Sequence, residues 1–517
     1  MTKQKQRSIA TAAAAALIFL LFFATRLYQL SSIPRGIHVD EAGMAFDALC
    51  LARQGTDRYG LAWPVYLTNY GSGQSALYAY LAAAAIRLLN HFSPTVFRLP
   101  AVLGGLMTLV FGMLILCRTL GRKAALAGGL LITICPYFLM ASRWGLDCNL
   151  MLGFSVMSLY LLMTAASSGK KRLYALAGLS FGLTLYSYAI AFAALPVFLT
   201  AAGLWLLWRK PVSPGRIISF LLPLAVLAAP LLLFVAFNAG ILEPFSTPFF
   251  SVPILTEYRG SELSLRHIPE NLNIFYILFS HDFLAYNGFA AYGTLYYIAV
   301  PFFIIGLASA LTEAWKGLRG KSDQETILVL FLFLTLLLTG LCMSGPNINR
   351  LNAIYFPLLY YTVKGLQVCG RRLHRLVPAA GICVFLVSFC FFAHYYYQIY
   401  PEDIYPQQYF NDSFISILDY IDEKFPGEKR DIYVDNYDDN VVHPYIYTLL
   451  RDPSLWNQWL EERQWDNSYG PYHFNLPDEV DENGIYIMYS NGIAMAALEQ
   501  AGFTAETWGL WRIYWKN

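Results

Sequence analysis

Residues Ser8–Leu27 read SIATAAAAALIFLLFFATRL, twenty positions whose only charge is Arg26, next to the end. A run of that length crosses a hydrocarbon core of roughly 30 Å as a helix. It exceeds the usual apolar core of a secretory signal and leads into TRLYQL without a small-residue cleavage pattern, so it is expected to remain as an anchor. The same texture recurs ten times, near 97–117, 123–141, 149–166, 173–190, 191–208, 217–237, 291–311, 326–343, 351–369 and 376–393. The expected architecture is a polytopic α-helical membrane protein of about eleven spans. Composition agrees: 57% of the 517 residues are hydrophobic and 14% charged, against roughly 25% charged in soluble domains. The apolar stretch 75–89 is short and carries Arg87, so it is expected at the bilayer surface or half inserted.

The scarce charges are sorted along the chain. Nineteen cations fall at the N-terminus and in alternate turns: Lys3, Lys5, Arg7; Arg118, Arg122, Lys123; Lys170, Lys171, Arg172; Arg209, Lys210, Arg216; Lys316, Arg319, Lys321; and Lys364, Arg371, Arg372, Arg375. Only Glu313, Asp323 and Glu325 accompany them. The positive-inside rule then places these turns and the N-terminus in the cytoplasm and the C-terminus outside, in a multi-pass plasma-membrane protein. The net charge of +2 excludes an electrostatically driven nucleic-acid binder. The eight cysteines are scattered without a C-x-x-C pair, which supports neither a zinc site nor a redox motif.

Residues 1–394 read as the membrane domain, with long outer loops at 28–96 and 238–290. Residues 395–517 differ in kind: they hold 21 acids and seven Lys or Arg, and no span. Helical stretches (FISILDYIDEKF, VVHPYIYTLL) alternate there with strand-like runs (DIYVD, GIYIMY, WRIYW), which predicts a small α/β extracytoplasmic domain of about 120 residues.

Charge near a bilayer is costly unless solvated or used, which directs attention to Ile33–Pro64, IPRGIHVDEAGMAFDALCLARQGTDRYGLAWP. The pattern predicts an amphipathic helix from the Asp40–Glu41 pair to Gln54, stopped by Gly55. Asp40, Gly43, Asp47 and Gln54 would share one face that aims a carboxylate at the membrane surface. Asp40 reads equally as the N-cap of that helix, a role compatible with chemistry.

An acidic pair after the first span, an amphipathic helix, D-x-x-G with a proline (Asp57, Gly60, Pro64), GQSALYAYL, and R-L-P with small residues (Arg98, Leu99, Pro100, Gly104) resemble the polyprenyl-phosphate-sugar-dependent glycosyltransferases. These are the type C (GT-C) enzymes, with protein O-mannosyltransferase (family 39-like) and aminoarabinose-transferase branches. The resemblance is closest over 8–210. It implies that Asp40 is the catalytic base with Glu41 beside it, that loop 28–96 is catalytic and 238–290 covers donor and acceptor, and that Asp147 in SRWGLDCN is a further acid of the site. Asp147 reads otherwise as the N-cap of the fourth span. Arg143, four residues earlier, would pair with Asp147 or face the donor phosphate. Aminoarabinose-type relatives carry E-K-P where this chain has Ser72-Gly73-Gln74-Ser75, and Gln74 cannot supply the lysine's charge. Arg350, in GPNINRLNAIYFP with no acid close in sequence, is the replacement candidate, or else a snorkelling interfacial arginine. Arg98 joins Gln74, Arg143 and Arg350 as a donor-binding candidate.

A polyprenyl-phosphate sugar carries its own leaving group, so no general acid is needed, unlike glycoside hydrolysis. One carboxylate to deprotonate an acceptor hydroxyl and one or two cations for the phosphate suffice, and direct attack inverts the anomeric centre. The donor would present a hexose, a mannose-like sugar or an aminopentose, and the acceptor would be a protein, a lipid or a cell-wall glycan. No cofactor is expected; His281–Asp282 with Glu41 or Asp147 would be too few groups for a divalent metal. Two other functions compete: a transporter, which would explain eleven spans but would place ionisable groups within them, and a membrane-anchored binding protein or sensor, which needs one span and leaves eleven hard to justify.

Overall fold

The computed structural model describes residues 3–209, 211–260, 262–280, 288–318, 324–403, 409–427, 429–435, 443–452, 455–456, 458, 468–489, 491–509 and 511–516. Its contacts divide the chain into two compact units, Met1–Leu30 with Pro64–Tyr396 and Ser31–Trp63 with Tyr397–Asn517. The first outer loop is therefore split. Residues 31–63 group with the C-terminal residues, and the two units divide after Tyr396. Hydropathy marks what enters a bilayer, not which soluble segments pack together.

The larger unit is helical: α1 (Lys3–Leu27), a β-hairpin described below, then α3 (Leu77–Leu89), α4 (Pro94–Leu120), α5 (Arg122–Ile134), α6 (Pro136–Ala141), α7 (Cys148–Ser168), α8 (Lys171–Leu185), α9 (Ala191–Arg209), α10 (Pro214–Asn238), α11 (Ile274–Phe279), α12 (Ala299–Leu318), α13 (Gln324–Leu341), α14 (Tyr355–Arg372) and α15 (Val377–His394). Each of the eleven expected positions holds a helix. Among the described residues seven stretches are long and apolar enough to cross a membrane: Ile9–Leu27, Pro94–Leu120, Cys148–Ser168, Ala191–Arg209, Pro214–Asn238, Ala299–Gly317 and Val377–Glu402. The expected span 123–141 is broken at Cys135, which is extended, because Pro136 cannot donate to a continuing helix. Small residues let backbones approach closely. A Cβ on Gly365 of α14 would lie 1.8 Å from the Phe302 carbonyl oxygen of α12, and one on Gly153 of α7 would lie 2.4 Å from that of Gly104 in α4.

Strands β1 (Tyr66–Asn69) and β2 (Ser72–Ser75) pair antiparallel, with Tyr66 opposite Ser75 and Leu67 opposite Gln74. Their two-residue turn, Tyr70-Gly71, has φ of 50° and 86°, the left-handed geometry that matches the twist of a hairpin. Residues 251–257 of the second long loop lie along this hairpin: Val65 N donates to the Ser251 carbonyl at 3.0 Å, and Glu257 N donates to that of Gly71 at 2.9 Å.

The smaller unit contains α2 (Val39–Gln54), α16 (Asp412–Lys424), α17 (Tyr445–Arg451), α18 (Gly492–Gln500) and a six-stranded sheet. The sheet order is β4-β5-β3-β6-β8-β7, from Ser468–Tyr469, Tyr472–His473, Ile432–Val434, Ile485–Met488, Trp511–Trp515 and Thr504–Trp508. Strand β3 runs parallel to β5 and β6 and the other pairs are antiparallel. The α/β character expected for residues 395–517 is present, and DIYVD, GIYIMY and WRIYW are β3, β6 and β8. Tyr486, Met488, Leu498, Phe503 and Tyr514 form a core cluster between sheet and α18.

Candidate functional site

Helix α2 starts one residue earlier than its acidic pair. His38 is the N-cap, extended at φ −66° and ψ 150°, and its Nδ1 accepts from Asp40 N at 3.2 Å. Accepting at Nδ1 requires a neutral ring protonated on Nε2. Burial favours that form and lowers the His38 pKa, against the charges of Asp40 and Glu41. The capping role expected for Asp40 thus falls to His38. Asp40 and Glu41 sit in the first turn, where carboxylates complement the helix dipole. Their environments differ: the Asp40 side chain is 42% exposed, while Glu41 is 1% exposed. A reactant can reach the first and not the second.

The helix ends as expected, with Gly55 at φ 74° donating to the Leu51 carbonyl. It is not amphipathic: every residue from Glu41 to Leu51 is buried. Asp47 accordingly does not share an open face with Asp40. Its Oδ1 accepts from Arg58 N at 2.9 Å, and its Oδ2 lies 3.8 Å from the Arg58 guanidinium, with both side chains fully buried. Burial raises the Asp47 pKa from 3.8 to about 7 despite the attraction of Arg58. Asp57 of the D-x-x-G motif accepts from Tyr59 N and Leu61 N, each at 2.9 Å, and Gly60 supplies φ 91°. That motif is a turn that delivers Arg58 to Asp47.

In the larger unit Asp147 caps α7, as its alternative reading anticipates. Oδ1 accepts from Cys148 N at 2.8 Å and Oδ2 from Ser75 N at 2.9 Å, so one carboxylate ties the hairpin to the helix. Its charge, after burial, raises the pKa of the Tyr66 hydroxyl, and Tyr66 stacks on Phe234 at 4.4 Å. Arg350 does have an acid beside it. Glu262 lies 3.2 Å from its guanidinium, which also donates to the Ser344 carbonyl at 2.7 Å. Sequence distance concealed a partner that the second loop supplies.

Arg143 is spent on backbone. Its two terminal nitrogens donate to the carbonyls of Thr25, Arg26, Tyr28 and Gln29 at 2.7–3.1 Å, closing the C-terminal end of α1. Those carbonyls carry the negative end of the helix dipole, which a buried guanidinium neutralises. Arg98, also fully buried, donates to the Leu30 carbonyl at 2.9 Å. Gln74 lies in β2, 6% exposed. The structure ties Asp147 to the hairpin that carries Tyr66, pairs Arg350 with Glu262, and directs Arg98 and Arg143 to the chain leaving α1. His281 and Asp282 lie outside the described residues, and among those described no three His, Cys, Asp or Glu side chains form a metal-binding group.

Residues 74–238 match the family model for dolichyl-phosphate-mannose-protein mannosyltransferase. ArnT from Cupriavidus metallidurans in the apo state aligns over 98% of both chains with a TM-score of 0.54 at 12% identity. ArnT bound to undecaprenyl phosphate aligns over 97% of both, with a TM-score of 0.52 at 13% identity. This chain has the type C glycosyltransferase fold. No curated protein sequence matches it.

Against this type C fold, two groups stand out that the sequence reading missed. The Asn-Tyr-Gly-Ser turn at 69–72 was a readable hairpin signal and places Tyr66 and Gln74 on paired strands. Tyr447 had no signal. It is buried in α17, which packs on α2; Asn411 Nδ2 donates to its hydroxyl at 2.6 Å, and it feels the charges of Asp40 and Glu41.

Proposed function

We propose that this protein is an integral-membrane glycosyltransferase that moves a sugar from a polyprenyl-phosphate donor to an acceptor hydroxyl on the extracytoplasmic side. Asp40 takes the hydroxyl proton as the oxygen attacks the anomeric carbon. The bond to the phosphate oxygen breaks with its electron pair, and the polyprenyl phosphate leaves as an anion, inverting the centre. Arg350 offsets the phosphate charge, held in place by Glu262 and the Ser344 carbonyl. Asp147 fixes the hairpin that carries Gln74 and Ser75.

The observation that carries the reading is the contrast within the acidic pair on a helix of a type C fold. His38 caps the helix start, and the Asp40 side chain, 42% exposed, stands where a reactant can reach it. ArnT, which shares the fold, is a protein seen with undecaprenyl phosphate. The test offers radiolabelled undecaprenyl-phosphate mannose, glucose and aminoarabinose to membranes containing the wild type or Asp40→Asn. We expect label transfer in the wild type and a loss of about 100-fold or more in the variant, the scale of general-base catalysis. Normal turnover by Asp40→Asn would sink the assignment.

A further inference from the structure

On the cation-rich face of the membrane unit, α7 and α9 end where α8, α10 and α13 begin. The two connecting turns, 169–172 and 209–216, hold Lys170, Lys171, Arg172, Arg209, Lys210 and Arg216 and no acid. The turns meet through their cations. A Cβ on Gly169, at φ +67°, would lie 2.9 Å from a terminal nitrogen of Arg216, and one on Gly215 would lie 3.0 Å from Lys171 Nζ. Among the described residues neither Arg216 nor Lys171 makes an ion pair. Glu325, the acid that borders the same space, is committed to Arg118. Lys170 before α8 and Ser213 before α10 make no side-chain capping bond, so both helix starts present amides and the positive end of the dipole.

Between these elements opens a cleft that encloses about 560 Å³, with Arg216, Ser167 and Tyr174 on its polar side and Leu206 and Leu328 among its apolar walls. Clefts of about 300–1,000 Å³ hold small ligands. Just past the turns, α8 exposes Leu176 and Leu179, and α10 exposes Ile218, Leu221 and Leu222. Apolar surface running away from a positive cleft matches a phosphate that carries acyl chains. We propose that this cleft binds the phosphate headgroup of an anionic phospholipid, with Arg216 and Lys171 as the cations that hold it. Two cations held at one joint without an acid repel each other, and a phosphate placed there offsets the repulsion. Basic recesses between spans are established forms of headgroup site.

The experiment purifies the full-length protein in a neutral detergent, strips its lipid and titrates it by calorimetry with phosphatidylglycerol or with phosphatidylcholine of the same chains. Phosphatidylglycerol is expected to bind more tightly by about fivefold or more, the worth of one unit of charge at a lipid surface. Inorganic phosphate, which has no chains, is expected not to displace it at equal concentration. Lys171→Gln and Arg216→Gln should each weaken phosphatidylglycerol binding about fivefold. Arg216→Lys keeps the charge, and Arg371→Gln removes an exposed cation of the same face outside the cleft lining; both should stay within about twofold of the wild type. Lys171 is exposed, so its variant carries the test even where Arg216→Gln fails to fold. Equal binding of the two lipids, displacement by inorganic phosphate, unchanged binding in Lys171→Gln, or an equal loss in Arg371→Gln overturns the proposal.

Discussion

The buried Asp47–Arg58 pair should make the smaller unit lose stability as pH rises, the opposite of a typical carboxylate. Folding raises the Asp47 pKa from 3.8 to about 7. The folded state therefore binds the proton more tightly, and the stability is fully present below about pH 4 and lost as pH rises through about 7. Between pH 5 and 8 this amounts to roughly two decades in the opening equilibrium, ~3 kcal/mol. Cys50, 1% exposed on the same helix, reports opening through its rate of alkylation. A free small-molecule thiol alkylated in the same tube corrects for the thiol's own pH dependence. We expect the Cys50-to-reference labelling ratio of the wild type, divided by that of Asp47→Asn, to rise about 100-fold from pH 5 to 8. The variant removes the titration and keeps the contact, since its amide oxygen can still accept from Arg58 N. His38 acts in the other direction: its lowered pKa contributes stability above its usual 6.5 that is lost as pH falls. The variant retains His38, so the difference between the two proteins isolates Asp47. The reasoning is refuted if wild type and Asp47→Asn show the same pH dependence.

Two further outcomes follow from the same contacts. Arg143→Lys replaces four well-aimed carbonyl bonds with at most three from a rotating ammonium. It should lower the thermal midpoint in detergent by several degrees, a cost of about 2 kcal/mol, while leaving donor KM within about twofold; a large KM change with an unmoved midpoint would return Arg143 to the phosphate. Asp57→Ala leaves the amides of Tyr59 and Leu61 without their carboxylate. It should cost about 2 kcal/mol and speed Cys50 labelling at every pH, whereas an unchanged rate would deny the turn its part in holding Arg58.

Local pattern was enough for much of this molecule. Apolar run length located the helices, Gly55 set the end of α2, and alternation marked β3, β6 and β8. The misreadings share one cause. Cap preference ranks aspartate high and so offers Asp40 as a cap, but a neutral buried histidine one step before the helix does the capping. Asp47 was placed on an open face because helical spacing says which residues share a face and not what covers it. Arg350 has no acid close in sequence because its partner Glu262 is 88 positions away in the chain.

Run length and residue type are local quantities, and the sequence by itself therefore determined that this is a many-helix membrane protein with an acidic α/β tail and a suspicious acidic pair after its first span. Which charges are spent and which remain depends on partners brought from afar, and only the tertiary structure decided that. It committed Arg143 to the end of α1, Asp147 to the hairpin, Asp47 to Arg58, and Arg350 to Glu262. A buried polar group must find a hydrogen-bond partner within about 3 Å, and that requirement is met in space without regard to sequence separation.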